Sequence, residues 1–266
     1  MSFWCIMISI AVIYFPGINC EDETQQALEA VGMHADILRW NTDYKLLKKY
    51  DGYVISGGWS YEDRIRAGVI SSRDPIMDVF KAEVKKGKPL LGICNGAQVL
   101  IESGLIPGIT TRVEMGLAPN NNPKISGYYC TWVQVLCSAE KKNAFNLTTE
   151  KDERWQIPIA HGEGRFTTNE KHLLRDLLEH DQITFRYCDN HGNIIEDFPI
   201  NPNGSLYNIA AVCNPQGNVM AMMPHPERAS WLRQLPEHKG TFETLEKAAP
   251  ARKIFESMKK YIEKRS

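Results

Sequence analysis

Three residues far apart in the chain have the types and settings of a nucleophile, a base and a carboxylate that orients the base. Cys94 lies in Leu90-Leu91-Gly92-Ile93-Cys94-Asn95-Gly96-Ala97-Gln98-Val99-Leu100, a short apolar strand that runs directly into a helix. A side chain on so sharp a turn is held by strained backbone, stands clear of its neighbours and lies close to the amides that open the helix. Gly92 and Gly96 remove the β-carbons that would crowd the turn, and the first helical turn favours a thiolate. Position alone leaves a buried structural cysteine as the alternative. Late in the chain, the apolar strand Val219 to Met223 ends in Pro224-His225-Pro226-Glu227-Arg228. The two prolines fix the backbone and prevent a helix at His225, so the ring projects from a rigid strand end, with Glu227 placed to face the same way. Cys94, His225 and Glu227 together supply a Cys-His-Glu triad: the imidazole takes the thiol proton and later delivers it to a leaving amine, and the carboxylate fixes its tautomer. Without the cysteine, the same segment reads as an exposed Pro-His-Pro turn.

The elements around these residues alternate. Ile6 to Tyr14 reads as a strand, followed by Asn19 as N-cap of a helix from about Cys20 to Val31; Ala35 to Arg39 is a second strand, Asp43 to Lys49 a short helix and Tyr53 to Ile55 a third strand, ending at Ser56-Gly57-Gly58. Ile76, Phe80 and Val84 mark a helix that stops at Gly87, before the Leu90 strand. This order predicts an α/β fold with a mostly parallel sheet covered by helices on both faces. Beyond Gly104 the pattern loosens: Pro119 to Pro123 is a loop, while Tyr129 to Leu136 and Ile183 to Tyr187 read as additional antiparallel strands. No linker divides the 266 residues, which read as one domain with a core over about residues 6–229 and a helical tail over about 241–264, interrupted at Pro250. That tail carries Phe242, Leu245, Ile254, Phe255, Met258 and Ile262 and is expected to dock on the body.

Composition narrows the classes of partner. Lys and Arg number 31 against 32 acidic residues, so no global field marks a nucleic-acid or membrane-surface binder. Seven cysteines without a Cys-x-x-Cys pair read as reduced thiols in a cytoplasmic protein. The apolar run from Phe3 to Phe15 is too short to span a bilayer, and no Lys or Arg precedes Arg39, so it reads as a buried strand and not a signal peptide. Asn146-Leu147-Thr148 and Asn203-Gly204-Ser205 match the glycosylation pattern, which a cytoplasmic location makes incidental.

The chain resembles the class I glutamine amidotransferases, and within them the glutaminase subunits of phosphoribosylformylglycinamidine synthase. The resemblance rests on Phe15 to Glu21, Ser56 to Asp63 with Arg66-Ala67-Gly68, Gly92 to Gly96, Pro158 to Arg165, Phe185 to Cys188, Asn201 to Ser205 and Met222 to Arg228. The elbow and the His-Pro-Glu segment carry the broad class, and the His161 and Asn201 blocks carry the subunit. It implies that Cys94 attacks the side-chain carboxamide of glutamine to give a glutamyl thioester and ammonia, with His225 as base and Glu227 as its partner. It also implies an oxyanion and substrate set made of Gly57, Gly58, Asn95, Gln98 and His161, where the backbone N–H of Asn95 directly follows the nucleophile. Read without the resemblance, Gly57-Gly58 is a tight turn and His161 a loop histidine; His161-Gly162-Glu163 lacks zinc-ligand spacing. Arg66 is a candidate partner for a carboxylate of glutamine or for another subunit.

The resemblance further implies that ammonia passes to a separate, large ATP-dependent synthetase, with a small accessory subunit alongside. No Gly-x-x-x-x-Gly-Lys loop occurs, so ATP and Mg²⁺ are expected in that partner, and no cofactor or metal in this chain. The competing expectations are a stand-alone cysteine hydrolase of the same fold group and a binding subunit whose triad never aligns. Tyr14 and Ile18 depart from the family's usual arginine and threonine, a few residues precede its usual start, where Met7 is an alternative initiator, and Pro119 to Glu150 and the tail after Ser230 match poorly.

Overall fold

The computed structural model describes residues 7–110 and 112–265; Cys5 and the beginning of the Phe3 to Phe15 run lie outside them. The first half alternates β1 (Ser9–Tyr14), α1 (Glu21–Glu29), β2 (His34–Arg39), α2 (Tyr44–Leu47), β3 (Gly52–Ile55), α3 (Ile76–Lys85), β4 (Leu90–Ile93) and α4 (Asn95–Glu102). Then come β5 (Gly116–Ala118), β6 (Tyr129–Cys137), β7 (Arg154–His161), β8 (Arg165–Thr167), α5 (Leu173–Glu179), β9 (Ile183–Cys188), β10 (Ile209–Cys213), β11 (Val219–Met222), α6 (Phe242–Leu245) and α7 (Lys253–Glu263). Among the described residues, nine strands form one sheet in the order β2-β1-β3-β4-β11-β10-β9-β6-β7, and β5 pairs separately with β8.

The sheet changes character at β11, which runs parallel to β4 and antiparallel to β10. On one side β2, β1, β3 and β4 are all parallel; on the other, β10, β9, β6 and β7 are joined antiparallel, as their sequences predict. The parallel strands read as continuous apolar runs because both faces are covered: Ile10 to Ile13, Tyr53 to Ile55 and Val219 to Met222 are fully buried. The register of β4 against β11 pairs Ile93 with Met222, so the two strands finish side by side, one residue before Cys94 and three before His225. Active-site placement follows from the general rule that crevices in such sheets open at the carboxyl ends of parallel strands.

The edge strand β7 comes back over these ends. Pro158 O accepts from His225 N at 2.9 Å, and Ala160 O lies 3.5 Å from the Cys94 sulfur. Two local expectations shift. The N-cap position of α1 is Cys20, without a side-chain cap, because Asn19 N and Cys20 N both donate to Gly57 O and hold the turn to the glycine loop. In the tail, α7 docks through buried Ile254, Phe255, Met258 and Ile262, with Pro250 opening the preceding 3₁₀ turn. Phe242 is instead 79% exposed, because α6 is a single turn with no buried residue.

Candidate active site

Cys94 connects β4 to α4 at φ 50° and ψ −104°, outside the allowed regions for a residue with a β-carbon and worth about 1–3 kcal/mol of strain. The surroundings enforce it. Cys94 N donates to Met222 O at 2.8 Å, tying the elbow to β11. A β-carbon on Gly96 would fall inside the backbone carbonyl of Ile55, and one on Gly92 would lie 2.5 Å from Gly96 O. The two glycines therefore let α4 start against the sheet itself, as the sequence predicts. The thiol is only 5% exposed.

His225, at φ −104° and ψ 90°, stays extended, and a 3₁₀ turn over Pro226–Ala229 begins directly after it. The sequence reading expects no helix at this point; the structure adds this turn because Pro226 sits at its first position, where a missing N–H and a fixed φ are favourable. The turn swings Glu227 back under the ring, so that His225 Nδ1 meets Glu227 Oε1 at 2.6 Å, with both residues buried. Burial works against the charged imidazole. The Glu227 carboxylate and the Cys94 sulfur outweigh it, and hold the ring protonated well above its ordinary range. Glu227 fixes Nδ1 as a donor, which leaves Nε2 toward the sulfurs; Nε2 has no hydrogen-bond partner among the described residues.

The glycine loop after β3 closes the third side. A β-carbon on Gly57 would lie 2.7 Å from His225 Cε1 and 3.4 Å from Cys94 Cβ; one on Gly58, where φ is 147°, would lie 2.6 Å from Ile18 Cα. Only glycine brings this loop so close to both residues. Asn95 opens α4, where its backbone N–H has no intrahelical acceptor. Its side chain braces the site: Oδ1 accepts from Ser60 N at 3.1 Å, and Nδ2 donates to Gln98 Oε1 at 2.8 Å and to Asp63 Oδ1 at 3.1 Å. Gln98 in turn donates to Glu163 O at 2.7 Å, so both ends of its amide hold neighbouring loops in place.

His161 ends β7 and is buried. Its Nδ1 lies 2.9 Å from Asn120 Oδ1, and burial together with the charge of His225 pushes its pKa down to about 3, so the ring is neutral. Arg66 points elsewhere, pairing with Glu102 at 2.5 Å.

A cavity of about 150 Å³ opens on Cys94, between Gly58, Gln98, His161, Trp59 and Tyr128. Two carboxylates that the sequence reading left without a role, Asp63 and Glu163, stand on its wall. Burial and the neighbouring Glu163 charge push Asp63 up to about 6, against the Asn95 hydrogen bond. Tyr128 was also missed, in a segment of irregular pattern. Its hydroxyl donates to Ala160 O at 2.9 Å, and its ring packs against Trp59 with centroids 5.9 Å apart. A larger cavity of about 720 Å³ lies at the opposite end of the sheet, lined by Lys85, Gly87, Asn214 and Arg265, and includes none of these groups. The arrangement at Cys94 suits attack on a small amide: a strained thiol, a protonated imidazole beside it, amides at a helix start, and a pocket that places negative charge at the far side.

The comparisons agree with this geometry. Residues 7–262 match the family described as the CobB/CobQ-like glutamine amidotransferase domain. The phosphoribosylformylglycinamidine synthase subunit PurQ of Methanothrix thermoacetophila is 47% identical over 262 residues, covering 96% of this chain and 98% of that protein. The same subunit of Pyrococcus furiosus is 42% identical, over 84% of this chain and 90% of its own length. Among solved structures, the PurLQS structure from Thermotoga maritima superposes with a TM-score of 0.74 at 29% identity, covering 97% of this chain and 100% of that one. The chain belongs to the glutamine amidotransferase family, in the branch of the PurQ subunits of phosphoribosylformylglycinamidine synthase.

Proposed function

We propose that this chain is the glutamine-hydrolysing subunit of a multi-subunit phosphoribosylformylglycinamidine synthase, and that it delivers ammonia to a large synthetase subunit that uses ATP and Mg²⁺, with a small accessory subunit in the same assembly. The observation that carries the reading is Cys94 on the wall of the 150 Å³ cavity, with the buried His225–Glu227 pair, 2.6 Å apart, beside it. The thiolate of Cys94 attacks the side-chain carbonyl carbon of glutamine. The oxyanion forms against the N–H of Asn95 and the Gly57-Gly58 loop. As the tetrahedral intermediate collapses, His225 gives its Nε2 proton to the leaving nitrogen, and ammonia departs from a glutamyl thioester. The neutral ring then takes a proton from water, which attacks the thioester, releases glutamate and restores the thiolate beside an imidazolium.

Asp63 and Glu163 are placed to receive the α-ammonium of glutamine. Asp63→Asn is expected to raise KM for glutamine by roughly 10- to 100-fold, the worth of a charge-assisted hydrogen bond, with a smaller change in kcat. Because Asp63 ionises near pH 6, KM in the parent protein should also rise as pH falls through about 6 and the carboxylate is neutralised. Steady-state kinetics from pH 5 to 8 check both; a flat KM in parent and variant would remove Asp63 from substrate binding.

The function itself is tested by mixing the chain with the synthetase. Glutamine hydrolysis should be slow in the isolated chain and rise on complex formation, since an uncoupled triad would waste glutamine. Mass spectrometry under turnover should find a glutamyl adduct on Cys94. Equal rates with and without the synthetase would reject the coupling, and absence of the adduct in the active complex would reject the thioester.

A further inference from the structure

Cys94 stands between two hollows that differ in what lines them. The cavity of about 150 Å³ carries Asp63, Gln98, His161 and Glu163 on its wall, and His225 is not part of it. A smaller hollow of about 30 Å³, open at its rim, is lined instead by Asn19, Cys20, His225 and Arg228. The two share Gly58, Trp59, Cys94, Tyr128 and Ala160, so they are two arms of one pocket. The smaller arm has room for one molecule the size of water or ammonia and little more. Two residues of its wall carry buried nitrogens without a hydrogen-bond partner among the described residues, Nε2 of His225 and Nε of Arg228. Cys20 beside them is a neutral thiol, because burial pushes its pKa up. Its sulfur accepts from Arg228 Nη2 at 3.2 Å, and the same Nη2 lies 3.4 Å from Glu23 Oε1. These contacts hold the end of the guanidinium and leave Nε uncommitted.

We propose that the smaller arm is the exit for ammonia, and that Arg228 receives the departing molecule there. The proposal rests on the reading of Cys94 as the nucleophile that attacks glutamine. The leaving nitrogen must sit against the residue that protonates it, and of the two arms His225 lines the smaller alone. When the tetrahedral intermediate collapses, the C–N bond breaks, the nitrogen takes the Nε2 proton, and neutral ammonia is left beside a neutral imidazole. Its lone pair then accepts from Nε–H of Arg228, a charge-assisted hydrogen bond. A lone pair held in this way does not take up a further proton, and the guanidinium charge disfavours ammonium next to it. Ammonia therefore moves toward the exposed Asn19 still able to act as a nucleophile. Its place at Nε2 is then open to the water that hydrolyses the thioester.

The test uses the assembled complex, supplied with glutamine that carries heavy nitrogen in its amide while unlabelled ammonium is present in the medium. Two quantities are read: the glutamate released, and the labelled product formed per glutamate. The parent should pass nearly all of its label into product. In Arg228→Met, which keeps an apolar stem and loses the charge and the donors, ammonia should escape to the medium. Labelled product per glutamate should then fall by roughly 10-fold, the worth of a hydrogen bond to a charged group. Arg228→Lys restores a cationic donor and should recover most of the loss. Asn19→Trp puts bulk on the exposed rim, where the core is not at stake, and should lower the same ratio. Co-elution with the synthetase shows that each variant assembles. Arg228→Met and Asn19→Trp complexes that keep the parent's ratio overturn the exit. So does a fall in glutamate release at an unchanged ratio, since Arg228 would then serve only to hold the base. A parent complex that releases no glutamate would reject the catalytic reading and the exit with it, a result distinct from a parent and variants that all couple fully.

Discussion

Replacing Cys94 with alanine is expected to abolish synthesis from glutamine, by roughly 10⁴-fold or more, and to leave synthesis from added ammonia unchanged. The two nitrogen sources separate chemistry from architecture. In the proposed mechanism glutamine passes through a thioester on this sulfur, whereas free ammonia enters the reaction after the step assigned to Cys94. Folding is not at stake, because the variant keeps the same positive φ at 50° and removes one small atom from a site that is 5% exposed. Cys94→Ser is the companion: it fills the space but offers a hydroxyl that the imidazolium of His225 cannot help to ionise, so it should fail in the same way. The measurement is product formation by the assembled complex with each nitrogen source. Loss of both activities would make Cys94 a structural residue, and retained use of glutamine would give the nucleophile's role to another group.

Much of this site was legible in the sequence because its parts obey local rules. Gly92 and Gly96 bracket Cys94 at a spacing that only a strand-to-helix elbow requires, and the prolines around His225 announce a fixed strand end. The alternation of apolar runs and amphipathic helices, buried on both faces, is likewise readable as a parallel sheet. What was not legible depends on contacts between distant segments. Nothing in Arg154 to His161 says that this strand, at the edge of the sheet, returns to offer Pro158 O to His225 and Ala160 O to Cys94. Cys20 belongs to an ordinary turn, and only the two hydrogen bonds to Gly57 O place it beside the base. Asp63 is hidden for a different reason. Tyr61, Glu62, Asp63 and Ile65 all have positive φ without being glycine, a conformation that no local preference anticipates and that tertiary contacts must impose. Gln98 shows the limit of a motif: its position beside the elbow is right, but its amide is committed to Asn95 and Glu163, so what it contributes is a rigid pocket wall.

Glu227→Gln is the sharpest test of why the base is charged. The substitution preserves shape, and its amide oxygen can still accept from Nδ1 of His225, so the tautomer and the ring position are kept; what disappears is the negative charge 2.6 Å from the ring. Burial then acts on the imidazolium with only the sulfurs against it, and its pKa falls. In the proposed mechanism the imidazolium of His225 supplies the proton to the leaving nitrogen, so activity is lost as pH rises through the pKa of His225. The alkaline limb of kcat/KM should therefore move to lower pH in the variant, and kcat at neutral pH should drop by roughly 10²- to 10⁴-fold. KM for glutamine should stay near the parent value, because Glu227 does not line the 150 Å³ cavity. The same charge leaves a trace in stability. A histidine whose folded pKa is raised contributes stability that is complete below its unfolded value and is lost as pH rises through the folded one, so the parent should lose stability over that upper range while Glu227→Gln shows a weaker dependence. A variant with low kcat but an unmoved alkaline limb and an unaltered stability profile would mean that Glu227 acts by holding the ring in place, and that its charge is not what keeps His225 protonated.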